Sequence, residues 1–101
     1  MIFLINEYNG GIINPNSLVY FYASWASNCN VHLDAIKRIE QENPKLLILR
    51  LNTSKYPKFK ELYKINKIPT FIIFNNGDVI SRIDGYKDQY TLSKWVKKYV
   101  S

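Results

Sequence analysis

Four short apolar runs along the chain have the length and composition of β-strands. They consist almost entirely of aliphatic and aromatic residues, and polar residues or Pro lie at or near their ends. These runs cover residues 2–5, 18–22, 46–51 and 70–74. The run at 18–22 shows no alternation with polar residues, which predicts a strand buried on both faces of a sheet.

Three segments show the 3.6-residue periodicity of amphipathic helices. They cover residues 28–43, which end before Pro44, then 57–64, and 91–100. The residues expected to face the core are Val31, Ala35, Ile36 and Ile39 in the first helix, Phe59, Leu62 and Tyr63 in the second, and Leu92, Trp95, Val96 and Tyr99 in the third.

The turn signals and the order of these elements together predict the fold class. Asn76-Gly77 separates the strand at 70–74 from a further apolar segment at 79–83, which predicts an antiparallel hairpin. Residues 7–16 contain Gly and Pro steps and read as a loop. Strand, helix, strand, helix, hairpin and helix in this order predict an α/β fold with a mixed sheet, and 101 residues suit a single domain over residues 1–101.

Composition bears on whether the protein forms disulfides, enters a membrane and is exported. Cys29 is the only cysteine, so no internal disulfide can form. No apolar run approaches the roughly 18 residues of a membrane span, and Met1 is not followed by a charged leader with a cleavage site. We therefore expect a cytoplasmic protein that does not enter a membrane, and a monomer.

The formal net charge is +6, but the basic residues are dispersed and interleaved with Asp and Glu. That distribution favours a solvated surface over nucleic-acid binding. The densest basic run is a candidate electrostatic docking face; it consists of Lys55, Lys58, Lys60, Lys64 and Lys67.

The most informative motif follows the strand at 18–22 and opens the first helix. It reads Trp25-Ala26-Ser27-Asn28-Cys29. With a cysteine in place of Ala26 it would be a W-C-x-x-C sequence, in which two thiols at a helix start make and break disulfides. Here only the second thiol is present.

From residue 18 to residue 100 the chain resembles the thioredoxin family. The motif at 25–29, Ile68-Pro69-Thr70 before the strand at 71–74, the hairpin at Asn76-Gly77, and Gly85 ahead of the last helix carry this resemblance through their order and spacing. It implies a thioredoxin fold, with a central mixed sheet of about five strands flanked by helices. The region before residue 18 is short for the family's first helix.

The resemblance also implies roles for individual residues. Ala26 occupies the position of the nucleophilic cysteine, and Cys29 that of the resolving thiol. Pro69 matches the family's cis-proline, and the backbone of Ile68 would pair with an extended substrate segment. Trp25, Ser27 and Asn28 would flank the same substrate-binding surface. The implied partners are proteins bearing disulfides and a reductant, with no cofactor.

Two departures from the family pattern concern proton transfer near the resolving thiol. Tyr20 stands where thioredoxins usually carry a buried Asp, and Arg50 stands where a Lys usually accompanies it. A metal site or a hydrolytic site is not indicated, because Cys29 and His32 are the only cysteine and histidine.

Two interpretations of Ala26 remain open. In the first, the parent protein is a thiol-disulfide oxidoreductase of protein disulfides, and Ala26 was introduced in place of its nucleophilic cysteine. In the second, the chain is a naturally redox-inactive thioredoxin-like module that binds a protein partner through the surface of Trp25 and Pro69. In both, the chain as written cannot run the dithiol cycle, because a methyl group forms neither a thiolate nor a mixed disulfide.

Overall fold

The computed structural model describes residues 2–4, 16–24, 29–75, 78–85 and 87–100, and for residues 2–4 and 29–32 it describes the backbone alone. Strands and helices follow one another in the predicted order. They are β1 (Ile2–Leu4), β2 (Ser17–Tyr22), α1 (Cys29–Glu42), β3 (Leu47–Asn52), α2 (Pro57–Leu62), β4 (Thr70–Asn75), β5 (Asp78–Asp84) and α3 (Gln89–Tyr99). Within the described ranges, no helix is both long enough and apolar enough to cross a membrane.

The strands form one mixed sheet in the order β1-β3-β2-β4-β5. Strands β1 and β2 both run parallel to β3, whereas β4 is antiparallel to β2 and β5 is antiparallel to β4. The predicted hairpin is therefore confirmed in its two strands, while its turn residues, Asn76 and Gly77, lie outside the described residues. The same holds for the short N-terminal region at 5–15.

Strand β2 is central and buried on both faces, as its apolar run predicts. Leu18 and Tyr20 belong to the core cluster that includes residues of α1 and α3. Val19 and Phe21 belong to the second cluster, on which Phe59 of α2 packs. The alternation of side chains along a strand sends these two pairs to opposite faces. The sheet is thus covered by α1 and α3 on one face and by α2 on the other.

Two residues expected to face the core do not. Helix α2 ends at Leu62 rather than continuing to Lys64, whose φ is +53°. Phe59 and Tyr63 pack inward four residues apart, and Leu62, a quarter turn away, is 65% exposed. At the end of α3, Tyr99 is 39% exposed, and Val100 packs against the core cluster in its place.

Helix α3 has a defined start. The carboxylate of Asp88 accepts a hydrogen bond of 2.8 Å from the backbone N–H of Thr91, which caps the helix. Hydrogen bonds from the backbone and the side chain of Thr91 lower the pKa of Asp88, because they stabilise the charged form of its carboxyl group. The cap fixes where α3 begins after β5, at the sheet edge that carries Pro69.

Burial predicts opposite outcomes for two leucine truncations. Leu49 is fully buried in the second core cluster, so Leu49→Ala should lower the free energy of unfolding by about 3 kcal/mol. Leu62→Ala, at an exposed position, should change it by less than about 0.5 kcal/mol. Urea unfolding of both variants measures the difference, and equal losses would contradict the assignment of the core.

Candidate functional site

The candidate site lies at the edge of the sheet where β2 and β3 end and β4 begins. Phe21 of β2 pairs with Thr70 of β4, so the next residues toward this edge are Tyr22 and Pro69. Helix α1 begins at Cys29, seven residues after Tyr22. The antiparallel pairing therefore brings the end of β2 to the same edge as Pro69.

Pro69 is buried at this edge, and the peptide bond between Ile68 and Pro69 is cis. The side chain of Ile68 is partly buried against the second core cluster. The backbone N–H of Gly85 donates a hydrogen bond of 2.7 Å to the carbonyl of Pro69. Gly85 has a φ of +89°, a conformation that favours glycine, so this residue closes the end of β5 onto the proline.

Arg82 ties the segment before Pro69 to the end of β5. Its Nη1 donates to the carbonyl of Tyr63 at 2.7 Å, and its Nη2 donates to the carbonyl of Lys64 at 3.3 Å. The guanidinium also contacts Asp84 Oδ1 through Nη2 at 2.8 Å and through Nε at 3.0 Å. Asp84 in turn accepts a hydrogen bond of 3.3 Å from Thr70 Oγ1. One side chain therefore joins three parts of the chain around the proline.

A second polar network holds the end of β2. The carbonyl of Tyr22 accepts two hydrogen bonds from Thr53, one from its backbone N–H at 2.7 Å and one from its Oγ1 at 2.9 Å. Asn52 Nδ2 donates to Ser24 Oγ at 2.8 Å, and Asn52 Oδ1 accepts from the N–H of Ser54 at 2.9 Å. These contacts fix the last residues before the motif at 25–29 onto the end of β3.

The position expected for a buried Asp is filled by an aromatic stack. Tyr20 is fully buried, and its ring stacks on Tyr22 at 5.6 Å and on Phe71 at 5.2 Å between centroids. Arg50 is the register partner of Tyr20, and its guanidinium lies 5.1 Å from the centroid of the Tyr22 ring. This part of the core therefore presents aromatic faces and a cation where the family's pattern has a carboxylate.

The sequence-predicted site residues divide between two groups. Ile68 and Pro69 lie at the described edge, and Cys29 is the first residue of α1, where its backbone is described. Trp25, Ala26, Ser27 and Asn28 lie outside the described residues, so their roles remain predictions. Among the described residues, no group of three or more His, Cys, Asp or Glu side chains could hold a metal ion.

The sequence itself decides the family. The sequence model of the thioredoxin family matches residues 4–98, nearly the whole chain. The chain belongs to the thioredoxin family. The matched residues include three features described above: the central strands of the sheet, the helix that begins at Cys29 and the cis peptide bond before Pro69.

Relatives of this thioredoxin family member include both short and long proteins. It is 30% identical over 82 residues to thioredoxin of Chlamydia pneumoniae, covering 81% of this chain and 80% of that protein. It is 32% identical over 84 residues to glutaredoxin-3 of Mus musculus, covering 83% of this chain, but it spans only 25% of the length of that protein. The crystal structure of mitochondrial thioredoxin 3 from Saccharomyces cerevisiae in its oxidized form has the same fold, with a TM-score of 0.79, 21% identity, and coverage of 94% of this chain and 90% of that one.

Sequence reasoning missed the residues that hold this edge together. Continued without a bulge from Asn75 opposite Asp78, the hairpin would place Ile83 opposite Thr70 and Ser81 opposite Ile72. A register shift between Ile73 and Phe74 instead places Asp84 and Arg82 there, so the hairpin signal does not point to the Arg82 network. The polar run Asn52-Thr53-Ser54, directly after a buried strand, carried a signal for the second network. The sequence does not indicate the hydrogen-bond partners in either network, because these partners lie up to 31 residues away in the chain.

The geometry of Arg82 predicts that lysine cannot replace it. Arg82→Lys should lower the free energy of unfolding by about 1 kcal/mol, because one ammonium cannot serve Asp84 and two carbonyls in the fork geometry of a guanidinium. Amide hydrogen exchange at residues 64–67 should also become faster. The matched control is Arg38→Lys, whose contact with Glu42 is long at 3.9 Å and solvent-exposed, and which should cost less than about 0.5 kcal/mol. Equal effects of the two substitutions would contradict the role of Arg82.

The second network predicts a larger effect for the side chain of Asn52. Asn52→Ala removes a donor to Ser24 and an acceptor for Ser54 at a buried position, and should cost about 2 kcal/mol in chemical denaturation. Asn52→Asp keeps the acceptor for Ser54 and loses only the donor, so its cost at neutral pH should be smaller. If Asn52→Asp is as damaging as the alanine variant, the hydrogen bond to the N–H of Ser54 does not contribute.

Proposed function

We propose that this chain binds protein segments bearing disulfides at the Pro69 edge, as thiol-disulfide oxidoreductases of its family do, and that Ala26 prevents it from completing the dithiol cycle. Family membership supports the class of chemistry. The observation that carries the proposal is the β2–β4 register, in which Phe21 pairs with Thr70. It brings the end of β2, after which the chain continues toward Cys29, and the segment ending at Pro69 to one edge.

The dithiol cycle requires a sulfur at each end of the motif. A thiolate at position 26 attacks one sulfur of the substrate disulfide, forms a mixed disulfide and expels the other substrate sulfur as a thiolate, which takes a proton. The thiolate of Cys29 then attacks the sulfur at position 26 and expels the second substrate thiolate. The substrate gains two electrons, and the two motif thiols become one disulfide. Ala26 supplies no sulfur for the first step, so neither step can occur.

Substrate capture does not depend on that sulfur. The proposed capture edge is the backbone of Ile68 beside Pro69, to which an extended segment would add as a further strand. The Arg82 network and the hydrogen bond from Gly85 to Pro69 hold this backbone in place without any contribution from position 26. Trp25, Ser27 and Asn28 are the proposed flanking contacts, and Cys29 is the proposed resolving thiol.

The proposed partners follow from the chemistry of the family. The first partner is a protein that carries a disulfide. The second is a thiol reductant, which would reduce the motif disulfide after each cycle once a sulfur stands at position 26. Relatives of about the length of this chain are named thioredoxin, and a much longer relative is named glutaredoxin-3. We therefore propose exchange with protein disulfides as the common chemistry.

Restoring the missing sulfur tests the proposal. Ala26→Cys should reduce a synthetic disulfide peptide, in the presence of a dithiol reductant, at least about tenfold faster than the chain with Ala26, because both steps of the exchange become available. Release of peptide thiol, measured by chromatography, gives the rate.

Two control variants separate the sulfur from other effects of the substitution. Ala26→Ser has nearly the same size and no thiol, and should stay at the background rate. Ala26→Cys combined with Cys29→Ser should stop at the mixed disulfide, which mass spectrometry detects as a covalent adduct. No gain of activity with Ala26→Cys in a folded protein would overturn the assignment to disulfide exchange.

A further inference from the structure

The segment that leads into the capture edge is strongly basic. Between Lys55 and Pro69 there are five lysines and one acidic residue, Glu61. All five lysine side chains are exposed. The nearby carboxylate of Asp84 is already paired with Arg82 at 2.8 Å, so it offsets the charge of that arginine rather than the charge of the lysines.

The lysines lie on the outward side of α2 and its following loop because the inward side is taken by aromatic residues. Phe59 and Tyr63 pack against the second core cluster, and burial raises the pKa of the Tyr63 hydroxyl. Lys60 and Lys64, four residues apart, line an open groove of about 460 Å³ formed by α2 and the loop that follows it. Two cations therefore border the groove, with Glu61 as its one acidic lining residue.

Lys67 directly follows Asn66, a lining residue of this groove, and lies beside the capture edge. Its carbonyl accepts a hydrogen bond of 2.7 Å from Thr70 Oγ1, and it precedes Pro69 by two residues. Its side-chain Cδ lies 3.9 Å from the point that a Cβ on Gly85 would occupy. Because the N–H of Gly85 bonds to the carbonyl of Pro69, the side chain of Lys67 lies alongside the edge where a substrate segment would add.

We propose that the surface formed by Lys60, Lys64 and Lys67 recognises acidic residues that flank the disulfide of the protein segment bound at Pro69. This inference rests on the proposed function and adds the chemical class of its partner. Carboxylates beside the bound strand would meet a net positive field, because Glu61 offsets only one of the three lysines, and such a field accelerates encounter and selects the partner more than it tightens the final complex.

The same charges could attract nucleic acid, but the aromatic residues argue for a protein. Single-stranded nucleic acids are held by aromatic side chains that stack on their bases, in addition to cations. Tyr56, Phe59 and Tyr63, the aromatic residues of this segment, all pack against the core cluster. An acidic peptide needs only the cations and the neighbouring strand edge.

The test compares disulfide peptides that differ only in charge. Two synthetic peptides carry the same cystine, flanked by three Glu in one and three Gln in the other. In single-turnover reactions with the Ala26→Cys variant, the Glu peptide should react about fivefold faster at about 20 mM salt, and the difference should fall below about twofold at about 0.5 M salt, where screening is strong. Equal rates at low salt would overturn the inference and leave the proposed function intact.

Charge reversal locates the effect. Lys60→Glu with Lys67→Glu, in the Ala26→Cys background, should abolish the preference for the Glu peptide; Lys64 is left unchanged because of its positive φ and its carbonyl bond to Arg82. The matched control is Lys97→Glu with Lys98→Glu, which changes the net charge equally at the C-terminal end of α3, on the opposite face of the sheet. Loss of the preference in the control as well would show that net charge, not this surface, is responsible.

A binding measurement keeps the test independent of turnover. Versions of the two peptides with Ser in place of each cysteine are titrated into the unaltered chain by fluorescence anisotropy, with a short single-stranded oligonucleotide as a third probe. The Glu peptide should bind more tightly than the Gln peptide, and Lys60→Glu with Lys67→Glu should remove that difference. If Ala26→Cys reduces neither peptide, the proposed function fails while this measurement still decides the charge preference. Tighter binding of the oligonucleotide through Lys60 and Lys67 would overturn the inference in favour of nucleic acid.

Discussion

The antiparallel pairing of β2 with β4 is the constraint on which the candidate site depends. Every residue from Ser17 to Phe21 has a register partner in β4, and the last pair, Phe21 and Thr70, lies at the edge of the candidate site. A shift of this register by one residue would send the side chains of β2 to the wrong faces, so the two core clusters lock it in place. The position of the end of β2 relative to Pro69 is thereby set by packing of the whole sheet.

Local polar networks then stiffen an edge where three chain segments turn. Hydrogen bonds from Thr53 to Tyr22 and between Asn52 and Ser24 secure the end of β2, and Arg82 secures the segment before Pro69. Their backbone acceptors are the carbonyl of Tyr22, at the end of β2, and the carbonyls of Tyr63 and Lys64, directly after α2. The networks therefore pair backbone carbonyls at element ends, where regular hydrogen bonding stops, close to the place where a substrate segment would add its own.

The sequence predicted the elements far better than it predicted the contacts of the site. Strands were predictable because runs such as 18–22 are apolar throughout, and only a doubly covered strand buries them. Leu62 and Tyr99 were assigned to the core wrongly, because helical spacing does not show where a short helix ends or how wide its buried stripe is. The partners of Asn52 and Arg82 could not be predicted, since a polar side chain has many acceptors in reach until the strand register is known.

The proposed binding and the proposed chemistry depend on separable parts of this chain. The first exchange step needs one sulfur at position 26, whereas the shape of the Pro69 edge depends on Arg82, Gly85 and the β2–β4 pairing, which the fold requires in any case. Retention of that edge is therefore no argument for turnover. The lysines of α2 and of the loop that follows it differ in this respect, because exposed side chains there can be replaced by other polar residues without loss of packing. Their common positive charge is not demanded by the fold, so it is the feature of the site that carries information about a partner.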